Sequence, residues 1–348
     1  MPSSAYVNSN KYRFSLKKLC VLTVCVFVSY LLFFFVRDVK HSQDYHNYLS
    51  WFLSVSKAND SSSLIVFKDP AFFYLSKLAI YLNAGVNLVI FILVSISIFS
   101  KVIFIKRHET VIVASFFFLY FCKIFFVLEM TQFRAAAAIG LSLLTFTYYI
   151  DKRYFKSFVI LLLSLSIHLS SILIVFSIPV VYLAKRVSFE KATLIFVILS
   201  MLFAVLFPFK LEYFTFIPII GERIVPYLEN SGNIVSLSLL NSYLLIKVSL
   251  FIIYVFWFLF KRDPSVISVD RSNLKLFFLL SAFGTFCFIS FRVSDSIALR
   301  VSEFYLVYDL LFFSYLSKVF YRDSRVYFRA VLFLLSLVFL YSSLKLLN

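Results

Sequence analysis

Three ionisable residues stand at the ends of apolar runs between residues 129 and 171. Glu129 precedes one run, Arg134 opens that run, and His168 ends the next one. Such side chains are costly in a membrane, so by default they mark functional positions. A guanidinium group can hold phosphate oxygens through paired hydrogen bonds, and a carboxylate or imidazole can accept a proton from a hydroxyl group. The alternative is that Arg134 only reaches the lipid headgroups and that His168 only caps a helix.

Further candidates lie in the polar segments between the apolar runs. Several arginines around one cavity would suit a phosphate-bearing ligand, because guanidinium binds phosphate oxygens bidentately. Acidic groups and a histidine in the same cavity would supply general acid or base catalysis, and Glu129 is one of these acids. The plainer interpretation is that arginines beside span ends only snorkel and that the loop charges form weak salt bridges. The further candidates are Arg37, Asp44, Tyr45, Glu222, Arg223, Arg292 and Arg300.

The composition requires a membrane protein. Hydrophobic residues make up 62% of the chain and charged residues 15%, which is too little polar surface for a soluble protein. The net charge of +17 comes from short clusters beside apolar runs. Short basic clusters beside spans are typical of topology signals that face an anionic cytoplasmic leaflet. This explains the positive charge better than a nucleic-acid-binding surface does.

Several classes of enzyme are disfavoured by missing motifs. The sequence contains neither GxGxxG nor a P-loop, and it has no DxD pair of the kind that holds Mg²⁺ in nucleotide-sugar enzymes. It also lacks HExxH, which argues against a zinc protease. The four cysteines lie within apolar runs without CxxC spacing, so we expect buried thiols and neither disulfides nor metal ligands.

The apolar runs predict an all-α polytopic integral membrane protein, with about ten to eleven transmembrane helices in a single domain over residues 1–348. Extracytoplasmic loops are predicted at about 37–71 and 208–236. Residues 72–84 are apolar but too few to span, so they predict a short interfacial helix. The runs read as single spans are 19–36, 86–105, 111–128, 133–150, 191–207, 237–260, 274–291, 301–319 and 328–346.

The segment 155–184 is best interpreted as a broken pair of helices. As one straight helix its thirty residues would be about 45 Å long, which exceeds the apolar thickness of a membrane. Basic residues flank both ends, so a single crossing would place one cluster on the unfavoured side. We therefore expect two short helices that meet at His168, where broken backbone requires cover from protein or a wet cavity. With the N-terminus inside, the inner segments then hold roughly twice as many Lys and Arg residues as the outer ones, and Lys101 is counted among the inner ones.

Four stretches of the sequence carry a resemblance to a known family. The four stretches are Arg37 with Gln43-Asp44-Tyr45-His46-Asn47-Tyr48, Asp69-Pro70-Ala71-Phe72, Gln132-Phe133-Arg134-Ala135-Ala136-Ala137-Ala138-Ile139, and His168-Leu169-Ser170-Ser171, with a weaker fifth from Arg300 to Tyr305. In these stretches the sequence resembles the EpsG-type, Wzy-like polysaccharide polymerases of bacterial surface glycan pathways. Gln43, Ala71 and Ala135 stand where that family usually has Gly, Gly and Gln.

The resemblance implies an O-antigen polymerase of lipopolysaccharide assembly in the bacterial inner membrane, with a cytoplasmic N-terminus. Such a membrane glycosyltransferase joins oligosaccharide repeat units carried on undecaprenyl pyrophosphate at the periplasmic face. Arg134 and Arg300 would hold pyrophosphate, Asp44 and His168 would act on the acceptor hydroxyl, and Tyr305 would contact substrate. The resemblance implies no cofactor or metal. The expected partners are the lipid-linked oligosaccharide, membrane lipid and a chain-length regulator protein, and no nucleic acid.

Two other functions remain open from the sequence. An O-antigen ligase or another lipid-linked-sugar transferase would use the same donor with a different acceptor. A flippase or transporter would more often show internal repeats, helices broken in corresponding halves and charges at the membrane midplane. The sequence shows no internal repeat, and its polar candidates collect on one predicted face.

Overall fold

The computed structural model describes residues 15–36, 39–42, 44–57, 69–188, 242–260, 268–291, 295–320 and 323–345, with the single positions 191, 193, 195 and 198. In these ranges the regular secondary structure is entirely helical. The chain forms two compact units, one of Met1–Ile174 and Phe333–Asn348 and the other of Val175–Leu332.

Within the described ranges, the first unit holds eight α-helices and the end of a ninth. They are α1 (Leu16–Phe35), α2 (Tyr45–Lys57), α3 (Pro70–Tyr81), α4 (Val86–Ile105), α5 (Thr110–Lys123), α6 (Phe125–Leu128), α7 (Phe133–Ile150) and α8 (Tyr154–Ile167), and the end of α13 (Ser324–Lys345). The second unit contains α9 (Ser177–Arg186), α10 (Ser242–Phe260), α11 (Ser268–Ser290) and α12 (Asp295–Leu316), and the start of α13.

The described part of the chain contains six helical segments long and apolar enough to cross a membrane. Three shorter apolar helices accompany them. The chain is therefore an all-helical, multi-pass membrane protein, and the total of ten to eleven spans stays a prediction, as does the inside position of the N-terminus. The six segments are Leu16–Phe35, Val86–Ile105, Phe133–Ile150, Leu169–Arg186, Ser272–Ser290 and Ser324–Leu344.

Several predicted boundaries change. The first polar segment, predicted as a loop over 37–71, contains the helix α2, which the sequence analysis missed because its apolar residues are too few for a span. The run at 111–128 is two helices, because the α-helix is interrupted at Ile124. Helices α11 and α12 each begin six residues before the predicted span, since a helix continues into polar residues where the apolar run does not. The predicted loop 208–236 and the run 191–207 lie outside the described residues, apart from positions 191, 193, 195 and 198.

The predicted break at His168 is confirmed. Helix α8 ends at Ile167, and His168 has extended backbone angles of φ −156° and ψ 117°. A 3₁₀ segment, Leu169–Phe176, follows before α9 begins at Ser177. The short helix predicted near 72–84 is also present, as α3.

Two tight turns reverse the chain at Asn83 and Lys152. Both residues adopt left-handed backbone conformations, with φ of 53° and 61°. Beyond Asn83, the Ala84 amide donates to the Ala79 carbonyl at 2.8 Å, and beyond Lys152 the Arg153 amide donates to the Tyr148 carbonyl at 2.9 Å. These are the bonds of a Schellman motif, which satisfies the last carbonyls of a helix and ends it sharply.

Helix α7 lies at the centre of the first unit and packs against both α4 and α8. Its approach to α4 depends on Gly140, where a Cβ atom would lie 3.0 Å from Ser100 Cβ and 3.1 Å from the Ser97 carbonyl oxygen. On the other side, Ser157 donates to the Thr145 carbonyl and Ser164 donates to the Ala138 carbonyl. Small residues and interhelical hydrogen bonds are the usual means by which helices associate in lipid.

The core of the second unit is the pair of helices α11 and α12. They meet closely at Gly284, where a Cβ atom would lie 2.5 Å from Tyr305 Cβ. A buried ion pair adds α10, because Lys247 Nζ lies 2.8 Å from Asp309 Oδ1. Ser281 of α11 donates to the same oxygen at 2.5 Å. One carboxylate thus connects three helices.

Candidate functional site

Arg134, in the first turn of α7, is held by one carboxylate and three aromatic rings. Its Nη1 lies 2.6 Å from Asp69 Oδ2. The guanidinium carbon lies 4.2 Å from the centre of the Trp51 ring, 5.3 Å from that of Tyr48 and 5.8 Å from that of Phe72. We call these four residues, Asp69, Tyr48, Trp51 and Phe72, the Arg134 cage. The Arg134 side chain remains 19% exposed, so the cage does not enclose it completely.

Local sequence explains how the cage forms. Tyr48 and Trp51 are three residues apart on α2, so they share one face of that helix. Asp69 precedes Pro70, which occupies the first position of α3 and fixes its start. The Asp69 carboxylate makes no capping bond to α3, and it instead faces Arg134. Helices α2 and α3 pack against each other, which brings these groups together.

Tyr48 also contacts the backbone of α7. The Arg134 amide, which has no partner within its own helix at that position, donates to Tyr48 Oη at 3.2 Å. Burial raises the pKa of the Tyr48 phenol, although the Arg134 charge opposes that rise. The phenol is therefore neutral near pH 7 and serves as an acceptor for the helix amide.

Asp44 adds a second carboxylate to this region. It is half-buried one residue before α2, and it interacts electrostatically with both Arg134 and Tyr48. The described site thus combines one guanidinium with two carboxylates, Asp69 and Asp44. A pyrophosphate would need further positive charge, and Arg37, the nearest arginine before the site in sequence, lies outside the described residues. No three His, Cys, Asp or Glu side chains of the described ranges are grouped as a metal site.

His168 lies at the same end of the α7–α8 pair as Arg134. The bonds from Ser157 to Thr145 and from Ser164 to Ala138 fix one antiparallel register between the two helices. Continuing that register by four residues from Ala138 reaches Arg134, and by four from Ser164 reaches His168. The register therefore puts the histidine at the level of the Arg134 cage, just past the end of α8.

Glu129 is placed differently from the sequence-based expectation of a group facing an outer cavity. Its side chain is completely buried, and Oε1 lies 2.7 Å from Lys101 Nζ in the middle of the packed helices. Ser97 donates to the same oxygen at 2.8 Å. Glu129 belongs to a closed ion pair beside the start of α7, and Lys101, counted from the sequence as a cytoplasmic topology signal, is its buried partner.

The other predicted site residues divide into three groups. Tyr45 is buried, and its hydroxyl donates to Asn87 Oδ1 at 3.4 Å, which connects α2 to the start of α4. Arg300 is exposed on α12, and Tyr305 is buried where α12 packs on α11. Both belong to the second unit, so their relation to the Arg134 cage stays a prediction. Arg37, Arg223 and Arg292 lie outside the described residues.

Sequence reasoning did not identify most of the cage. Asp69 was part of the family-like stretch Asp69 to Phe72, but its pairing with Arg134 was not predicted. Trp51 is one of only two tryptophans, and its spacing of three from Tyr48 was the available signal. For Lys101, the signal was a single charge inside the apolar run of α4.

Comparison with known proteins identifies the family. No curated protein and no solved structure matches the chain significantly. The family model described as EpsG family matches residues 21–347, which include most of the first unit, all of the second and every residue of the Arg134 cage. Because this match covers nearly the whole chain, the protein belongs to the EpsG family.

Proposed function

We propose that the protein is a polysaccharide polymerase, a membrane glycosyltransferase that joins oligosaccharide repeat units carried on undecaprenyl pyrophosphate. Membership of the EpsG family supports a polymerase-like activity. The observation that carries the proposal is that Arg134, at the start of α7, contacts Asp69 and aromatic rings of α2 and α3, while the α7–α8 register puts His168 at the same level. Tyr48, Asp69, Arg134 and His168 come from the four stretches that resemble the family in sequence.

The chemistry of the proposed reaction suits this arrangement. The bond between the sugar and the pyrophosphate supplies the free energy, so the protein must orient the two lipids, stabilise the leaving group and remove a proton from the acceptor. A guanidinium fixed by a carboxylate and a stacked ring presents its remaining N–H groups in one orientation, which suits pyrophosphate oxygens. Asp44 and His168 are the proposed groups for the acceptor hydroxyl. Arg37, Arg223, Arg292 and Arg300 are the proposed sources of additional positive charge.

The test is the glycan made by cells that lack the native gene. A polymerase mutant should attach single repeat units to the final acceptor and lose the long chains, and a plasmid copy of the gene should restore them. A ligase mutant would instead accumulate long chains on the lipid carrier, with nothing transferred. A flippase mutant would retain untransferred repeat units at the cytoplasmic face. Either of the last two outcomes refutes the polymerase proposal.

The proposed site must also face the periplasm. Arg134 and His168 lie at one end of the α7–α8 pair, and the ion pair between Arg107 and Asp151, at 2.6 Å, lies at the other end of α7. A periplasm-only reporter should therefore be active when fused after Asn59 and inactive when fused after Arg107 or Lys152. Activity at the last two positions and none at the first would place the cage on the cytoplasmic side, where the proposed reaction does not occur.

A further inference from the structure

A second polar cluster lies beside the start of α7 and is separate from the Arg134 cage. It consists of Lys101 and Ser97 of α4, Glu129 of the turn before α7, and the carbonyl of Ala136 in α7. The Lys101 and Glu129 side chains are both 0% exposed. Charges buried inside a membrane protein are costly and are retained where they have a role, and the reaction proposed above does not use this pair.

The Lys101 ammonium group has three N–H donors, and three acceptor atoms lie around it. It contacts Glu129 Oε1 at 2.7 Å, the Ala136 carbonyl oxygen at 3.3 Å and the hydroxyl oxygen of Ser97. Ser97 itself lies 2.8 Å from the same Glu129 oxygen and 2.8 Å from the Ala136 carbonyl oxygen. A network with every ammonium donor satisfied fixes its members in one arrangement, because any shift leaves a buried charge poorly compensated.

The two acceptors outside α4 lie on either side of Arg134 in the chain. Glu129 is five residues before Arg134, and Ala136 is two residues after it. The turn between Glu129 and α7 is short, so holding both points also fixes the first turn of α7. The close contact of Gly140 with Ser97 presses the same two helices together.

We infer that Lys101 is a positioning residue for Arg134, acting through Glu129 and the Ala136 carbonyl to hold the first turn of α7 so that the guanidinium stacks on Trp51. The importance of this for catalysis rests on the proposed role of Arg134 in binding pyrophosphate. The geometric part can be measured without any substrate.

Trp51 provides a direct readout of the position of Arg134. With Trp257→Phe, Trp51 is the only tryptophan left in the chain. Its fluorescence in detergent-purified protein then reports the guanidinium that lies 4.2 Å from the ring centre. Arg134→Lys in this background defines the emission of Trp51 without the guanidinium, and it keeps a counter-charge for the buried Asp69 carboxylate.

The deciding variant is the double substitution Lys101→Met with Glu129→Met, which removes both buried charges together and avoids leaving one unpaired. We expect normal protein level in the membrane, a shift of Trp51 emission towards the Arg134→Lys value, and loss of long glycan chains. Ser97→Ala, which removes only one hydroxyl group, should shift the emission in the same direction by a smaller amount, and it provides the test if the double variant fails to fold.

The matched control is Lys247→Met with Asp309→Leu, which removes the other buried ion pair and should leave Trp51 emission at the wild-type value. Wild-type emission and chain length in the Lys101/Glu129 double variant would overturn the inference and leave the pair a purely structural feature. If Arg134→Lys retains wild-type chains, the pyrophosphate role fails, but the Trp51 measurement still decides whether Lys101 positions Arg134.

Discussion

Replacing Arg134 with lysine separates a phosphate-binding role from a role in folding alone. Lysine keeps the positive charge near Asp69, so the buried carboxylate retains a counter-charge. It loses the planar group that stacks on Trp51 and the paired N–H donors that a phosphate requires. A hydrogen bond to a charged group contributes about 1.5–3 kcal/mol. If that contribution is made in the transition state, its loss lowers the rate by about tenfold to a hundredfold.

Alanine at this position would give an ambiguous result. Asp69 is 1% exposed, and Arg134→Ala would leave its carboxylate buried without the guanidinium. Breaking a buried pair in this way typically costs about 3–5 kcal/mol. Since a domain is stable by only about 5–15 kcal/mol, the protein level itself would fall. Loss of glycan would then report misfolding as readily as loss of a ligand.

The assay is the chain-length distribution of surface glycan in cells that lack the native gene, with the amount of protein in the membrane measured in parallel. Arg134→Lys should leave mostly single repeat units at normal protein level. The control is Arg153→Lys, because Arg153 is exposed at the start of α8 and the substitution is chemically identical. Arg107 is unsuitable as a control, since its Nη1 lies 2.6 Å from Asp151 Oδ2 and joins the ends of α4 and α7.

The result that refutes the reasoning is a fully expressed Arg134→Lys variant with wild-type chain lengths. A charge in roughly the same place would then be sufficient, and neither the stacked geometry nor the bidentate donors would matter for the reaction. Arg134 would remain the structural partner of Asp69, and the pyrophosphate site would have to be sought among the other arginines.

Two further predictions concern the second unit. Lys247→Met should lower the free energy of unfolding by about 3–5 kcal/mol because Asp309 loses its counter-charge. Adding Asp309→Leu should recover most of that loss. Equal thermal stability of the single and double variants in detergent would contradict this. Gly284→Ala should cost about 1–3 kcal/mol because the new Cβ would lie 2.5 Å from Tyr305 Cβ, whereas Gly85→Ala, with nothing within 4 Å, should not show this loss. The same thermal unfolding experiment checks the second prediction, and equal effects at both glycines would show that α11 and α12 can separate without cost.

The sequence was sufficient for the helices that a membrane imposes. A span must satisfy its own backbone hydrogen bonds, so its length and apolar composition are visible locally. This is why the boundaries of α4 and α7 were predicted correctly, and why the length of the segment 155–184 revealed the break at His168. Helix α2 was missed because it is neither long enough nor apolar enough to be recognised by that criterion.

Pairing between helices was not predictable in the same way. Lys101 and Glu129 are 28 residues apart, and nothing in the local sequence of either residue indicates the other. A count of basic residues treats Lys101 as a topology signal, because the count cannot distinguish a lysine facing the cytoplasm from one buried among helices. Arg134 was predicted to be a site residue from its position, but its carboxylate and aromatic neighbours come from helices that only tertiary packing brings together.

The structure suggests why a site of this kind needs support from two sides. In the proposed reaction the donor supplies the free energy and the protein supplies mainly orientation and charge, so catalysis depends on where the guanidinium is held. A displacement of 1 Å in such a site can cost about a hundredfold in rate. Arg134 stands in the first turn of a helix, where the backbone has the fewest hydrogen bonds of its own. Its side chain is fixed by Asp69 and Trp51, and its backbone is fixed by Tyr48 and by the Lys101 cluster, through Glu129 and Ala136. The cage therefore sets the direction of the guanidinium and the buried ion pair sets its location, which is why substitutions at the two places should have the same effect on glycan chain length.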